Sequence, residues 1–164
     1  MTTPWERLQH EFVEDHRKMT RGYRELIDLL ENRDFVGASH AASRLDTVAG
    51  PHIEFEEKYL YPHAAKTRGD TYLSRLFDEH DEMLEVLQQI LHAAEDGTAS
   101  DQSVQQWIVQ LKNGIDHASA CGTLLGELKT LSENQQLTFL DGLTRLRDQG
   151  ARWSELHCHP KENL

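Results

Sequence analysis

The stretch Gly50-Pro51-His52-Ile53-Glu54-Phe55-Glu56-Glu57-Lys58-Tyr59-Leu60-Tyr61-Pro62 sets two demands against each other. Its apolar positions continue a run through Phe35, Ala38, Ala41, Leu45 and Val48 at steps of three and four, the spacing of one helix face. On that face stand His52 and, one turn later, Glu56. A buried imidazole needs partners for both ring nitrogens, and a buried carboxylate is costly unless it is paired or bound to metal. The stretch predicts a helix from about Asp34 to near Pro62 with ligand-type groups on its inward face. Pro51 deletes a backbone hydrogen bond, which predicts a bend just before His52.

The flanking sequence repeats the pattern. Upstream, Trp5, Leu8, Phe12, Met19, Tyr23, Leu26 and Leu30 form one stripe whose gap is filled by His16. Thr3, Pro4 and Glu6 give this helix a capped start, and Asn32-Arg33-Asp34 gives it a turn to end on, so it spans about 4–31. Beyond the polar loop Lys66 to Asp70, a third stripe runs Leu73, Leu76, His80, Leu84, Leu87 and Ile90 to an end at Glu95-Asp96-Gly97. A fourth runs from about Ser103 through Trp107, Leu111, Ile115, His117, Cys121, Leu124 and Leu128 to Leu131. Ser132 with Gln135 opens a fifth helix, whose Leu137, Leu140, Leu143 and Leu146 face one way without an inward histidine. From Trp153 to Leu164 periodicity is lost, as in a frayed tail. The expected fold is all-α: an up-down-up-down four-helix bundle over about 4–131, with an additional C-terminal helix and tail over about 132–164, in a single domain.

Composition narrows the function. The chain has 164 residues, and 28 acidic against 17 basic side chains leave a formal charge of −11. That balance repels phosphate backbones and anionic lipid, which argues against nucleic acid and membrane surfaces as partners. No apolar run approaches the roughly 18 residues of a membrane span, and Met-Thr-Thr-Pro-Trp-Glu lacks the pattern of a signal peptide, so a cytoplasmic location is expected. Two cysteines, Cys121 and Cys158, suit a reducing compartment better than a disulfide framework.

Histidine is the unusual count, at ten. His16, His52, His80 and His117 each take a stripe position that Leu or Ile would otherwise fill, one on each of four helices. Since the stripes meet in one core, a shared metal would satisfy all four together with Glu56. Cys121, one turn after His117, is either a soft ligand facing the same core or an inert small buried residue. Glu57 is expected to be solvated or to lie behind the ligands. His10 and His40 fall at the surface or its boundary, His63 near the open end of the bundle, and His92 in solvent. His157-Cys158-His159 looks like a metal tract, yet in a tail it reads as incidental. Tyr23 and Tyr59 lie on stripes near the histidines, where they either hydrogen-bond groups behind the ligands or simply pack.

These residues resemble the hemerythrin-like, or HHE cation-binding, domain family, whose four-helix bundles hold a non-haem di-iron centre. The resemblance lies in Asp15-His16, in His52 to Pro62, in Glu79-His80-Asp81 and in His117, and it covers about residues 5–135. It implies that His16, His52, His80 and His117 are terminal iron ligands and that Glu56 bridges two metals. The fourth helix departs from the family pattern. It reads His117-Ala118-Ser119-Ala120-Cys121-Gly122, with no carboxylate where a second bridge is normally found. Leu76 stands one turn before His80, where oxygen-carrying hemerythrins place an extra histidine.

The function this implies is iron binding, with one or two ions per chain and a di-iron centre favoured, and binding of or reaction with O2, peroxide or NO in sensing, detoxification or iron handling. Two alternatives compete with it. One is a mononuclear site that uses Cys121; the other is a degenerate bundle acting as a regulatory or interaction module, with the fifth helix as the face of a homodimer.

Overall fold

The computed structural model describes residues 2–96 and 99–156, with the backbone alone over 94–96. Among these there is no strand. Helix α1 (Pro4–Glu31) opens on the expected capping box: Glu6 N donates to Thr3 Oγ1 at 3.2 Å, and Thr3 N donates to Glu6 Oε2 at 2.8 Å. It stops at Asn32, and Arg33 takes a left-handed φ of 58° in the turn. Asp34 then caps α2 (Phe35–Phe55) by accepting from Gly37 N at 2.9 Å. A π-helical segment (Glu56–Leu60) joins α2 to α3 (Tyr61–Arg68) without a break. Helix α4 (Asp70–Asp96) follows, then α5 (Asp101–Leu125) and a 3-10 turn (Gly126–Thr130). Helix α6 (Glu133–Gln149) and the short α7 (Trp153–Leu156) complete the order.

Helix α1 packs against α2 and α5, and α4 packs against the same two, so these helices enclose one core. Helix α6 lies over α1 and α2, while α7 lies on α2. The apolar core is in two parts. One gathers Met19, Leu26, Leu45, Ile53, Leu87, Leu111 and their neighbours; the other gathers Leu8, Phe12, Phe55, Leu76, Leu124 and Leu143. On α1, α2, α4 and α5 the boundary between the two parts falls at the histidine level. A polar layer therefore cuts across the bundle.

Several boundaries differ from the sequence reading. The helix expected to end near Pro62 runs on to Arg68, because Pro62 sits in the first turn of α3, where a missing N–H costs nothing. The expected loop from Lys66 to Asp70 shrinks to Gly69, with φ 81°. Helix α2 continues through Gly50-Pro51, and the departure from α geometry comes at Glu56 instead. Gly50-Pro51 marks a crossing of chains: a Cβ on Gly50 would lie 2.0 Å from the carbonyl oxygen of Ala151. The last part of the expected fourth helix is the 3-10 turn. Val48 and Leu137, read as inward, are exposed. Next to Leu137, Gln136 turns in and donates to the carbonyls of Leu128, Lys129 and Leu131 at 3.1–3.2 Å, covering the end of that turn.

The tail reading fails at its first residue, since Trp153 is only 1% exposed. Ser154 fastens it, its N and Oγ donating to the two carboxylate oxygens of buried Asp46 at 2.7 and 2.8 Å. Residues 157–164, which include His157-Cys158-His159, lie outside the described residues, as do Met1 and Gly97.

Two glycine substitutions test this packing by thermal melting. Gly50→Ala forces the α2–α7 crossing apart and is expected to cost about 1–3 kcal/mol. Gly122→Ala, on an exposed turn of α5 with nothing within 4 Å of the new Cβ, is expected to raise stability by about 0.5–1 kcal/mol. A Gly50→Ala melt equal to the parent would show that the crossing is loose.

Candidate metal centre

Glu56 is the hub of the polar layer. Its carboxylate, 1% exposed, turns one oxygen toward each half of the site. On one side, His16 Nε2 from α1 and His52 Nε2 from α2 approach Oε1 at 3.4 and 3.3 Å. On the other, His80 Nε2 from α4 approaches Oε2 at 3.2 Å, with His117 Nε2 from α5 a further 2.9 Å on and Cys121 Sγ 3.3 Å beyond that. All four imidazoles thus turn Nε2 inward, three of them directly onto one carboxylate. Four helices are needed because no single helix face can present that many groups at one point.

Each inner nitrogen on α2, α4 and α5 has a carboxylate behind it. His80 Nδ1 lies 2.8 Å from Glu57 Oε1, His117 Nδ1 lies 2.6 Å from Glu79 Oε2, and His52 Nδ1 lies 3.5 Å from Asp15 Oδ2. An acid on the outer nitrogen holds the imidazole with its inner lone pair free for a cation, the arrangement common behind metal-bound histidines. Arg147 of α6 donates to Asp15 Oδ2 at 2.7 Å and to the carbonyl of Glu11 at 3.2 Å, so the extra helix braces the acid behind His52.

The π segment decides what stands beyond Glu56. At about 100° per residue an α-helix would turn Tyr61 to the far side from Glu56 and bring Leu60 close to its face. The wider π turn rotates Tyr61 back instead. Its hydroxyl lies 3.4 Å from Glu56 Oε2, 3.1 Å from His80 Nε2, 3.3 Å from His117 Nε2 and 3.5 Å from Cys121 Sγ. Tyr59, one of the two tyrosines read from the stripes, stacks on Phe55 of α2 and accepts from Arg145 of α6. Tyr23 lines the cavity described below.

The charges interlock. Burial alone would raise Glu56, but His52, His16 and His80 outweigh it and hold its carboxyl well below the ordinary range. Burial likewise disfavours charge on His52 and His80. Around His52 it is overcome by Glu56 and Asp15, and around His80 by Glu56 and Glu57, which lift that imidazole to about 9. His16 and His117 move the other way, lowered chiefly by burial. Asp15, raised by burial but pulled down by His52 and Arg147, settles at about 2. Burial pushes the Cys121 thiol and the Tyr61 phenol up, with Glu56 adding to both. In the metal-free layer His80 thus leans to the imidazolium form on one side of Glu56, and His52 is shifted in the same direction on the other.

Those protons do not complete the layer. Both ring nitrogens of His52, together with Glu56 Oε1, are buried with no hydrogen-bond partner among the described residues, because their near approaches lack hydrogen-bonding geometry. Ligands about 2.1 Å from a common ion stand roughly 3.0–3.4 Å apart, which is the spacing found here. Two sets, His16/His52/Glu56 and Glu56/His117/Cys121, have donor atoms all within 4.8 Å of one another. The residues present fit metal ions on either side of Glu56. A cavity of about 570 Å³ runs from Glu56, His80 and His117 past Tyr23 and Met83 to exposed Asp116.

All six residues singled out from the sequence meet in this layer. Glu57 is buried behind His80, one of the two positions left open for it. His10, His40 and His92 are exposed, and half-buried His63 packs edge-on against Phe139. Tyr61 and Arg147 were missed. The first is hidden by the π turn, and the second pairs across 132 residues.

Among the described residues no helix is long and apolar enough to cross a membrane. No curated protein and no solved structure matches the chain. The family profile described as the hemerythrin HHE cation-binding domain matches residues 7–120, from the first turns of α1 to the residue before Cys121. With a matched span that takes in all four histidines and Glu56, the chain belongs to the hemerythrin HHE cation-binding domain family.

Proposed function

We propose that this chain is a non-haem iron protein that holds two iron ions, one on each side of Glu56, and binds or reacts with O2, peroxide or NO. The observation that carries the reading is the division of the inner ligand atoms by one carboxylate, with His16 and His52 on Oε1, His80 on Oε2, and His117 beyond His80 on that same side. A carboxylate shared in this way would hold both ions. Iron would supply redox change and positions left open for a small ligand.

The chain's own residues account for the rest. Glu57 and Glu79 fix the tautomers of His80 and His117, so that lone pairs face inward. Arg147 keeps Asp15 ionised behind His52. Tyr61 and Cys121 stand on the α5 side, where the usual second bridge is missing, and offer a phenol oxygen and a sulfur there. The cavity gives a small molecule a path to that side.

Iron content per chain tests the division. Protein loaded with ferrous iron without oxygen and then freed of excess is expected to hold about two irons. His16→Ala or His52→Ala should lose one, His80→Ala or His117→Ala the other, and Glu56→Gln most of both. About one iron in the parent would end the two-ion reading in favour of a single site that includes Cys121; none would leave a bundle without metal function.

Glu56→Gln also has a consequence without metal. In the presence of a chelator at pH 7 it leaves His80, raised to about 9, without the anion at its inner nitrogen. Urea unfolding is expected to show a loss of about 3 kcal/mol. An unchanged midpoint would mean that His80 is neutral and Glu56 is not its counter-ion.

A further inference from the structure

Trp153 stands outside the family match, yet it reaches the centre. Its side chain lines the same cavity as Glu56, His80 and His117, and its ring meets that of His80 edge-on at 6.0 Å between centroids. It is 1% exposed, and its Nε1–H has no acceptor among the described residues. A buried N–H left unpaired gives up most of the worth of a hydrogen bond, and Phe or Leu would fill the space without that loss. The chain also commits other residues to placing this indole. Gly50 has no side chain so that Ala151 to Trp153 can cross α2, and buried Asp46 receives both bonds from Ser154.

Two residues that line the cavity each carry a buried polar atom unmet among the described residues: Glu56 Oε1, an acceptor, and Trp153 Nε1–H, a donor. A cation answers the first. A small molecule held next to that cation, with a lone pair to offer, answers the second. We infer that the indole N–H of Trp153 is the hydrogen-bond donor held for a small oxygen- or nitrogen-centred ligand, of the size of peroxide or azide, taken up in the cavity beside His80. The inference rests on the metal reading above and adds what that reading lacks: a residue of the C-terminal appendage that touches the ligand and strengthens its binding.

The probe is azide, titrated into iron-loaded full-length protein and followed by its charge-transfer absorption, with iron per chain measured on the same samples. Trp153→Phe keeps a ring and removes the N–H. A second variant, with the isosteric benzothiophene side chain at 153, keeps the indole shape and decides the matter if the Phe variant melts early. Both are expected to hold as much iron as the parent and to bind azide about tenfold more weakly. Parent-like azide affinity at full iron content overturns the role of Trp153 and leaves the metal reading standing, as does an iron-loaded parent that takes up no azide. A parent that takes up no iron overturns the metal reading, and this inference with it.

Discussion

One buried carboxylate governs this molecule. Glu56 lies at the centre of a bundle whose other layers are apolar, and an isolated charge there would be expelled or neutralised. The fold surrounds it with imidazoles, one from each of the helices α1, α2, α4 and α5, and shifts two of them, His52 and His80, toward the cationic form. Each of those helices gives up an apolar position at the same height. The core is consequently two cores, joined through a layer that holds together by charge rather than by burial.

That division explains the appendage. A bundle cut in two by a polar layer loses apolar contact at its middle, and the segments after residue 132 cover the layer from outside. Arg147 of α6 reaches Asp15, and Trp153 enters from α7 and joins the apolar cluster above the histidines. Gly50 admits the crossing, Asp46 fastens it, and Gln136 covers the end of the preceding turn. The additional helix is thus a brace on the side of the layer formed by α1 and α2.

Local regularity and chemistry made the helices and the inward histidines readable in advance. Stripes at steps of three and four do not depend on what they pack against, and four stripe positions taken by His are conspicuous because Leu is the ordinary occupant. What stayed hidden depends on departures from that regularity or on distance along the chain. Tyr61 is out of phase in an ideal helix, and only the π turn after Glu56 returns it to the site. Pro51 and Pro62 looked like interruptions because proline usually ends helices, yet one sits beside a glycine that admits another chain and the other in a first turn. Nothing near Trp153 in the sequence signals its burial, since its partners are about a hundred residues away on α2.

The fourth-helix departure changes the charge of the centre more than its shape. A thiol and a phenol occupy the side where a second carboxylate would stand, and burial next to Glu56 keeps both neutral in the metal-free layer. The inner shell then contains a single permanent negative charge. Asp15, Glu57 and Glu79 stand one imidazole further out, and part of the charge on Asp15 is already answered by Arg147. With the two cations proposed for it, a centre of this composition would hold more positive charge than its inner ligands cancel, and a low-dielectric interior would magnify the excess. Two things can supply the missing negative charge: loss of a proton from Cys121 or Tyr61, or an anion drawn from the cavity. The unpaired indole N–H of Trp153 suits the second, because it would steady such an anion in the cavity beside His80.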